Sequence, residues 1–200
     1  MTYGQFIPLT IHCNPFTLLN EVNKFEFAQY NPSKPQNPRL GLSITSIDGN
    51  MNGIDLESIP EYREKTGLQI HETSFTELTD VYYSSKEVKS IVDPFKKWLG
   101  RTHVLNIRKG GYFPPHRDDI GDDEQVSFRV IVPLSNCNPP DLYFIHGNET
   151  LHFENGRAYF LNTNLAHSVF SFSDDCMMIV MNIICCEESI NSVIKNFYNV

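Results

Sequence analysis

Two histidines and one aspartate have residue types and a spacing that suit metal chemistry. His116 and Asp118 are two positions apart, and His167 follows fifty-one residues after His116. In an extended segment, residues i and i+2 project from the same face, so the imidazole and the carboxylate can converge on one ion. Two imidazoles and one carboxylate form the facial triad that leaves positions open on Fe(II), as reactions with O2 require. The pattern predicts His116, Asp118 and His167 as metal ligands and catalytic residues.

A histidine and an acid two positions apart have little specificity on their own. Seven histidines and twenty-four acidic residues in 200 positions give about 0.8 such pairs by chance. A second pair, His152 and Glu154, lies so near His167 in the chain that only a hairpin fits between them, whereas His116 leaves room for several strands. We therefore favour the pair at His116. The other five histidines are interpreted as structural or exposed: His12, His71, His103, His146 and His152.

The second half of the chain has the texture of many short strands. Apolar runs rich in Val, Ile and Phe alternate with Gly, Pro, Asn and Asp, which favour turns. The predicted strands cover residues 102–108, 126–134, 142–146, 150–153, 157–161, 167–172 and 176–184. Strands of this length and spacing are typical of a sandwich or a jelly roll.

Helical periodicity appears mainly outside this region. Apolar residues at helical spacing predict helices over 15–27 and 85–99, the second kinked at Pro94 and stopped at Gly100. Residues 187–197 can form a short closing helix. We expect a single domain over 1–200, in which 1–100 supplies supporting helices and strands, 101–184 the β core, and 185–200 the C-terminal helix.

Composition excludes some functions. Sixteen basic and twenty-four acidic residues give a net charge of −8, and no cluster of Lys and Arg is long enough to follow a phosphate backbone, so nucleic acid is not expected as a partner. Residues 1–9 carry no basic region followed by an apolar core, and no stretch approaches eighteen apolar residues. The five cysteines show no CxxC spacing. We expect a cytoplasmic protein with reduced cysteines, no membrane contact, and a small-molecule or peptide substrate; its oligomeric state stays open.

Three segments together carry a family resemblance. They are residues 105–118, which end in the His116 and Asp118 pair, the arginine-bearing run RVIVPL at 129–134, and the Gly-led run GRAYFL at 156–161 followed by His167. In this order they resemble the aspartyl/asparaginyl β-hydroxylase-like branch of the 2-oxoglutarate/Fe(II) oxygenases, which includes bacterial proline hydroxylases. The resemblance covers roughly residues 101–184.

The resemblance implies a fold, a reaction and a set of ligands. The fold is a double-stranded β-helix, a jelly roll of cupin-like form. The reaction couples the oxidative decarboxylation of 2-oxoglutarate by O2, giving succinate and CO2, to hydroxylation of an amino acid, a peptide side chain or a small metabolite. By position it also implies that Fe(II) is bound by His116, Asp118 and His167.

One departure from the family concerns the cosubstrate. Family members that hydroxylate amino acids usually carry an arginine about ten residues after the distal histidine, where it pairs with the 2-oxoglutarate tail; Met177 stands there in this chain. Either another cation takes its place, because a buried carboxylate without a partner is costly, or the cosubstrate is not 2-oxoglutarate. Arg129 matches the family's strand arginine, and it points into the barrel if its apolar neighbours pack against helices. The alternative is a solvated arginine on an outer face.

Three further residues are candidates for the cosubstrate site. Arg108 lies on the strand that leads to the metal motif, and a surface ion pair suits it equally well. Asn106 and Tyr112 can contact cosubstrate or substrate, or serve in turns and core packing.

The acidic segment 120–125 is predicted to be a mobile lid, since it cannot bury apolar area.

Two other functional classes remain open from the sequence. One is a cupin-like metal-binding module, or a catalytically silent relative that keeps the metal and has lost 2-oxoglutarate turnover. The other is a metal-dependent isomerase or a dioxygenase that works without 2-oxoglutarate. Release of succinate on addition of Fe(II) and 2-oxoglutarate separates the oxygenase from both.

Overall fold

Antiparallel β-strands form the body of the protein. The computed structural model describes residues 6–118 and 126–197. The strands are β1 (Phe6–His12), β2 (Ala28–Gln29), β3 (Arg39–Ser43), β4 (Thr45–Ser46), β5 (Glu77–Leu78), β6 (Leu99–Ile107), β7 (Tyr112–His116), β8 (Ser127–Ser135), β9 (Leu142–His146), β10 (Glu149–Thr150), β11 (Arg157–Leu161), β12 (His167–Ser171) and β13 (Cys176–Ile184).

These strands form two principal sheets that face each other. The larger has the order β1-β11-β8-β13-β6-β3-β2, the smaller has the order β10-β9-β12-β7, and β4 pairs with β5 separately. An apolar cluster lies between the two sheets, with Leu105, Ile131 and Met178 from the larger and Phe144 and Val169 from the smaller. The protein is therefore mainly β with a jelly-roll arrangement, which confirms the predicted fold class.

Four of the five α-helices in the described residues pack on the outer face of the larger sheet, whereas the helix over Ile59–Thr66 buries Tyr62 in a separate small cluster with Ile70 and Phe75. The helices are α1 (Pro15–Val22), α2 (Ile59–Thr66), α3 (Asp80–Ser84), α4 (Lys86–Val92) and α5 (Glu187–Lys195), with 3-10 helices at Ile54–Leu56, Glu72–Ser74 and Asp93–Trp98. Leu18 of α1 and Ile91 of α4 share a second apolar cluster with Val130 of β8 and Ile179 of β13. Full burial of such a side chain stabilises the fold by about 1.5–3 kcal/mol.

Polar caps start the two helices that the sequence predicted in the first half of the chain. The Asn14 side chain accepts a hydrogen bond from the Thr17 amide, and the Ser85 hydroxyl accepts one from the Val88 amide. The first helix ends at Val22, five residues before its predicted end, where the chain turns and the Phe25 amide bonds back to the Val22 carbonyl.

The predicted helix over 85–99 is wrong in its second half. Regular α-helix stops at Val92, and a 3-10 helix containing Pro94 follows, because proline has no amide hydrogen to continue the α-helical ladder. Gly100 does not stop a helix; it lies inside β6. A Cβ at this position would lie 2.6 Å from the Glu72 carbonyl oxygen, so a close approach of two backbones requires the glycine.

Two sequence-based expectations concern membranes and cysteines. Within residues 6–118 and 126–197, no helix is long and apolar enough to span a membrane. All five cysteines lie in this part of the chain and none forms a disulfide, with Cys13, Cys137 and Cys176 buried, Cys186 half-buried and Cys185 exposed.

Candidate metal centre

The three predicted ligands come together at one end of the smaller sheet. His116 is the last residue of β7 and His167 the first residue of β12, and the two are direct partners in the ladder. Their imidazole centroids are 4.3 Å apart. Asp118 follows β7 by two residues, and its amide donates to the Thr163 carbonyl at 3.2 Å. Residues fifty-one positions apart thus meet through a single antiparallel pairing.

A β-bulge aims His116 into the barrel. His167 pairs with His116, whereas Val169 pairs with Phe113, so β7 has one more residue than β12 over this stretch. Without a bulge, side chains three positions apart face opposite sides of a sheet, yet both Phe113 and His116 line the interior cavity. Pro114 and Pro115 fill the bulge on an edge strand, where the missing amide hydrogens cost no ladder bond.

The ligand atoms converge on one point. Asp118 Oδ1 is 3.6 Å from His116 Nε2 and 3.8 Å from His167 Nε2. One ligand atom from each of the three residues lies within 4.8 Å of the other two. Bonds from a divalent metal to nitrogen or oxygen are about 2.0–2.2 Å, so both nitrogens and the oxygen can reach one ion with small shifts.

Backbone contacts give both histidines the tautomer that metal binding needs. His116 Nδ1 donates to the Pro114 carbonyl at 2.7 Å, and His167 Nδ1 donates to the Leu165 carbonyl at 3.0 Å. With the hydrogen on Nδ1, each Nε2 carries a lone pair directed at the shared point. Metal-binding histidines characteristically use their second nitrogen in this way. The three residues therefore fit a single divalent ion.

Burial keeps His167 neutral. Its side chain is 4% exposed. Burial is the main cause that lowers the pKa of His167 below its ordinary value, and the nearby charges of His116 and Arg129 act in the same direction. The Leu165 carbonyl and the Asp118 carboxylate oppose the shift. A lowered pKa keeps the lone pair of Nε2 available at neutral pH.

Arg129 lies directly beside the triad. Its Nε is 2.9 Å from Asp118 Oδ2, and the same nitrogen donates to Asn182 Oδ1 at 3.2 Å. The two oxygens of Asp118 are thereby divided, with Oδ1 facing the histidines and Oδ2 facing the guanidinium. Arg129 is inward-facing, and its neighbours Val130 and Phe128 pack on the helix side, as the alternation along β8 indicated.

His116, His167 and Arg129 form the polar edge of an otherwise apolar cavity. It measures about 420 Å³, its open mouth included. Apart from these polar residues, it is lined by Leu105, Ile107, Phe113, Ile131, Phe144, Leu161, Val169, Met178 and Val180. Arg129 is the one cation in the lining that the described residues provide. A ligand carboxylate in this cavity therefore has one positively charged side chain to meet.

The other three cosubstrate candidates lie away from this cavity. Leu105 and Ile107 face inward, so Asn106 between them faces the opposite side of β6. Arg108 follows β6 and is exposed. Tyr112 precedes the inward-facing Phe113 and is 46% exposed on the outer surface. Strand alternation and the turn after β6 direct these three side chains away from the cavity, and their contact with cosubstrate stays a prediction.

Met177, at the expected position of the late arginine, also faces outward. It belongs to the apolar cluster beneath the helices, whereas its neighbour Met178 lines the cavity. Neither side chain carries a charge.

The predicted lid at 120–125 lies outside the described residues.

Asn182 is the polar neighbour of the site that the sequence did not reveal. It lies on β13, is 3% exposed, and is the register partner of Arg129 on β8. A single asparagine in an apolar strand gives no signal until the pairing of β8 with β13 is known. The sequence also did not predict that Phe113 and Phe144 line the cavity, since the direction of their side chains depends on the bulge in β7 and on the strand register.

The fold and site define a jelly-roll protein with a histidine, aspartate and histidine cluster at the mouth of its barrel. No protein-family model matches the sequence, and no curated protein matches it. A prolyl-4-hydroxylase from Pseudomonas putida is similar in structure, with 11% identity, a TM-score of 0.49, and coverage of 91% of this chain and 93% of the hydroxylase.

Two further solved structures share the general fold. An oxidoreductase of the 2OG-Fe(II) oxygenase family from Burkholderia pseudomallei has 9% identity and a TM-score of 0.46, over 84% of this chain and 76% of its own. An RmlC-like cupin from Shewanella frigidimarina has 12% identity and a TM-score of 0.33, over 47% of this chain and 73% of its own. Similarities this distant concern the fold, so function rests on the site itself.

Proposed function

We propose that this chain is an Fe(II)- and 2-oxoglutarate-dependent dioxygenase that hydroxylates an amino acid, a peptide side chain or a small metabolite. One observation carries the proposal. His116 Nε2, His167 Nε2 and Asp118 Oδ1 converge on one point, and a cation, Arg129, lies beside that point in an apolar cavity. Such a site requires ligands for the metal and a positively charged side chain that binds the carboxylate of 2-oxoglutarate.

Bound Fe(II) supplies the site for O2 activation, with 2-oxoglutarate, O2 and the substrate C–H bond converted to succinate, CO2 and an alcohol. The protein residues have separate tasks. His116, Asp118 and His167 would hold the ion. The tautomers fixed by the Pro114 and Leu165 carbonyls keep both imidazoles ready to bind.

Arg129 is assigned to the 2-oxoglutarate carboxylate. Its Nε is committed to Asp118 and Asn182, and neither Nη1 nor Nη2 has a partner among the described residues. Two terminal nitrogens in a planar fork suit the two oxygens of a carboxylate. Leu161, Ile131 and Val180 form apolar walls beside Arg129, and an apolar surrounding strengthens charge pairing.

The primary test measures succinate. Purified protein is incubated with Fe(II), 2-oxoglutarate, ascorbate and O2, and succinate is quantified against the Asp118→Ala variant. We expect the parent to form succinate even without its substrate, in slow uncoupled turnover, and the variant to form none above background. Equal succinate from both would overturn the proposed function.

A second candidate is a cupin-like metal-binding module without 2-oxoglutarate turnover. The observation in its favour is the absence of a cation on the inward face of β13 where Met178 and Val180 lie. Calorimetric titration separates the two: the dioxygenase binds 2-oxoglutarate when loaded with Mn(II), whereas the module binds the metal alone.

A further inference from the structure

Buried polar contacts extend from Arg129 away from the metal ligands. Asn182 on β13 is the register partner of Arg129 on β8, and its Oδ1 accepts the Arg129 Nε hydrogen at 3.2 Å. The Asn182 side chain is almost fully buried, at 3% exposure. A buried amide of this kind is retained only with its hydrogen bonds made, because each unmade one costs about 1–3 kcal/mol.

The other end of the Asn182 amide is held as firmly. Nδ2 donates to Glu72 Oε2 at 3.1 Å and to the Arg101 carbonyl at 3.1 Å. The pairing of β13 with β6 shifts register between Met181 and Ile183, opposite this carbonyl. With two acceptors facing Nδ2 and a donor facing Oδ1, only this amide orientation satisfies all three contacts. Oδ1 must therefore point at Arg129.

A buried arginine, Arg101, forms an ion pair with Glu72. Arg101 is 3% exposed, and its Nε lies 3.5 Å from Glu72 Oε2. Arg101 Nη1 donates to the Glu57 carbonyl at 2.7 Å, which ties the pair to the segment between two helices. Asn182 is thus held by the Arg101 carbonyl and by Glu72, whose carboxylate is paired with the buried Arg101.

These contacts orient the terminal nitrogens of Arg129. A long arginine side chain gives up about 2 kcal/mol of rotamer entropy when it is fixed on binding. With Nε held by Asn182 and paired with Asp118, Arg129 has its guanidinium oriented before any ligand arrives. Within residues 6–118 and 126–197, Nη1 and Nη2 have no hydrogen-bond partner, so a carboxylate in the cavity can bind them.

We infer that Asn182 is a positioning residue that orients Arg129 for the cosubstrate carboxylate. The inference rests on the proposed function, in which Arg129 binds 2-oxoglutarate. Arg129 lies on β8, and the Asn182 side chain on β13 accepts its Nε hydrogen. A merely structural Asn182 would stabilise the sheet without affecting carboxylate binding.

The experiment is a double-mutant cycle read by binding. 2-Oxoglutarate is titrated calorimetrically into Mn(II)-loaded parent, Asn182→Leu, Arg129→Gln and the double variant. We expect Asn182→Leu to weaken 2-oxoglutarate affinity about tenfold, the equivalent of one lost hydrogen bond. Because Asn182 acts through Arg129, the double variant should bind as weakly as Arg129→Gln and no weaker.

Asn138→Leu is the matched control. Asn138 also uses both ends of its amide, donating to the Phe153 carbonyl at 3.0 Å and accepting from the Phe153 amide at 2.7 Å, but it lies outside the cavity lining. It should lower thermal stability and leave 2-oxoglutarate affinity as in the parent. If Asn182→Leu does not fold, Asn182→Ser, whose hydroxyl is too short to reach Arg129, replaces it.

Each outcome decides one of the two proposals. Parent-like affinity in folded Asn182→Leu or Asn182→Ser overturns the positioning role, and so does an effect that adds fully to that of Arg129→Gln. If the Mn(II)-loaded parent itself binds no 2-oxoglutarate, the proposed function fails and the inference falls with it.

Discussion

Each proposed histidine ligand is fixed by the backbone carbonyl two positions before it. His116 contacts the Pro114 carbonyl and His167 the Leu165 carbonyl, so one local arrangement occurs on both strands. The cluster of His116, Asp118 and His167 could be predicted from the sequence, because the residue types and their spacing suit metal chemistry, and its role as a metal site stays a prediction. The carbonyl contacts could not be predicted, since they depend on the path of the backbone before each histidine.

Removal of a ligand should abolish metal binding. We expect Asp118→Ala and His167→Ala to lose Fe(II) affinity by more than the roughly 10–100-fold that loss of an outer contact causes, because each variant keeps only two ligands. Metal content after dialysis, measured by plasma emission spectroscopy, checks this.

The exposed His152 provides the matched control for these variants. It belongs to the second histidine–x–acid pair and lies outside the cavity lining. His152→Ala should retain parent-like metal content. Retention of iron by both Asp118→Ala and His167→Ala would exclude the triad.

The guanidinium of Arg129 should dominate 2-oxoglutarate affinity. Loss of the charged partner of a carboxylate that becomes buried on binding costs about 2–5 kcal/mol, so Arg129→Ala should weaken 2-oxoglutarate binding roughly thirtyfold or more. Its effect on metal affinity should be smaller, since Asp118 keeps Oδ1 toward the histidines and loses only its partner at Oδ2.

Arg108→Ala tests the competing candidate under the same titration. Because Arg108 is exposed and outside the cavity lining, the variant should bind 2-oxoglutarate as the parent does. The reverse result, with Arg108 essential and Arg129 dispensable, would contradict the assignment of the anchor.

At the scale of elements, alternation within a strand was more predictable than pairing between strands. The apolar pattern of β8 indicated that Arg129 faces inward, and it does. The outward facing of Tyr112 and the proximity of Asn182 depend on a bulge in β7 and on the register of β13, which a single sequence does not encode locally. The role of a glycine was also hard to predict: Gly100 was expected to end a helix, but it lies inside β6.

Gly100→Ala should destabilise the protein by about 1–3 kcal/mol, as overpacking of a tight interior does. The added Cβ would lie 2.6 Å from the Glu72 carbonyl oxygen and 3.0 Å from Thr73 Cα, which are backbone atoms that cannot rotate away. The free energy of unfolding, measured by urea denaturation, checks this.

Gly41→Ala is the comparison for the same measurement. Its added Cβ would meet the ends of Leu56, at 2.8 Å from Cδ2 and 3.1 Å from Cδ1, which a rotamer change can move. We expect a smaller loss than for Gly100→Ala. Equal stability of Gly100→Ala and the parent would show that β6 and the Glu72 segment do not pack as described.

At the scale of the whole molecule, the two sheets supply different parts of the site. The smaller sheet carries His116 and His167, whereas the larger sheet carries Arg129 and Asn182. The apolar cluster between the sheets sets their separation, so the distance from the cation to the ligands depends on the stability of the whole fold. A buried group whose titration changes the stability of the fold therefore also affects the site.

Asp55 should make the protein less stable as the pH rises toward neutrality. Burial is the main cause that raises the pKa of Asp55 to about 6, and the charge of Asp48 adds to it. Between the ordinary pKa of 3.8 and about 6, the folded state binds more protons than the unfolded state, so the free energy of unfolding falls as pH increases. A shift of this size corresponds to at most about 3 kcal/mol.

Asp55→Asn removes the ionisable group from its buried position, where it is 1% exposed. Relative to the parent, the variant should gain stability at pH 7.5 compared with pH 4.5, because only the parent must bury a charge at the higher pH. Urea denaturation of both proteins at the two pH values measures the difference, with the exposed Glu64→Gln as the control that leaves it unchanged. If the difference between Asp55→Asn and the parent is the same at both pH values, Asp55 does not titrate between them in the folded protein, and its charge is accommodated without the cost that its burial predicts.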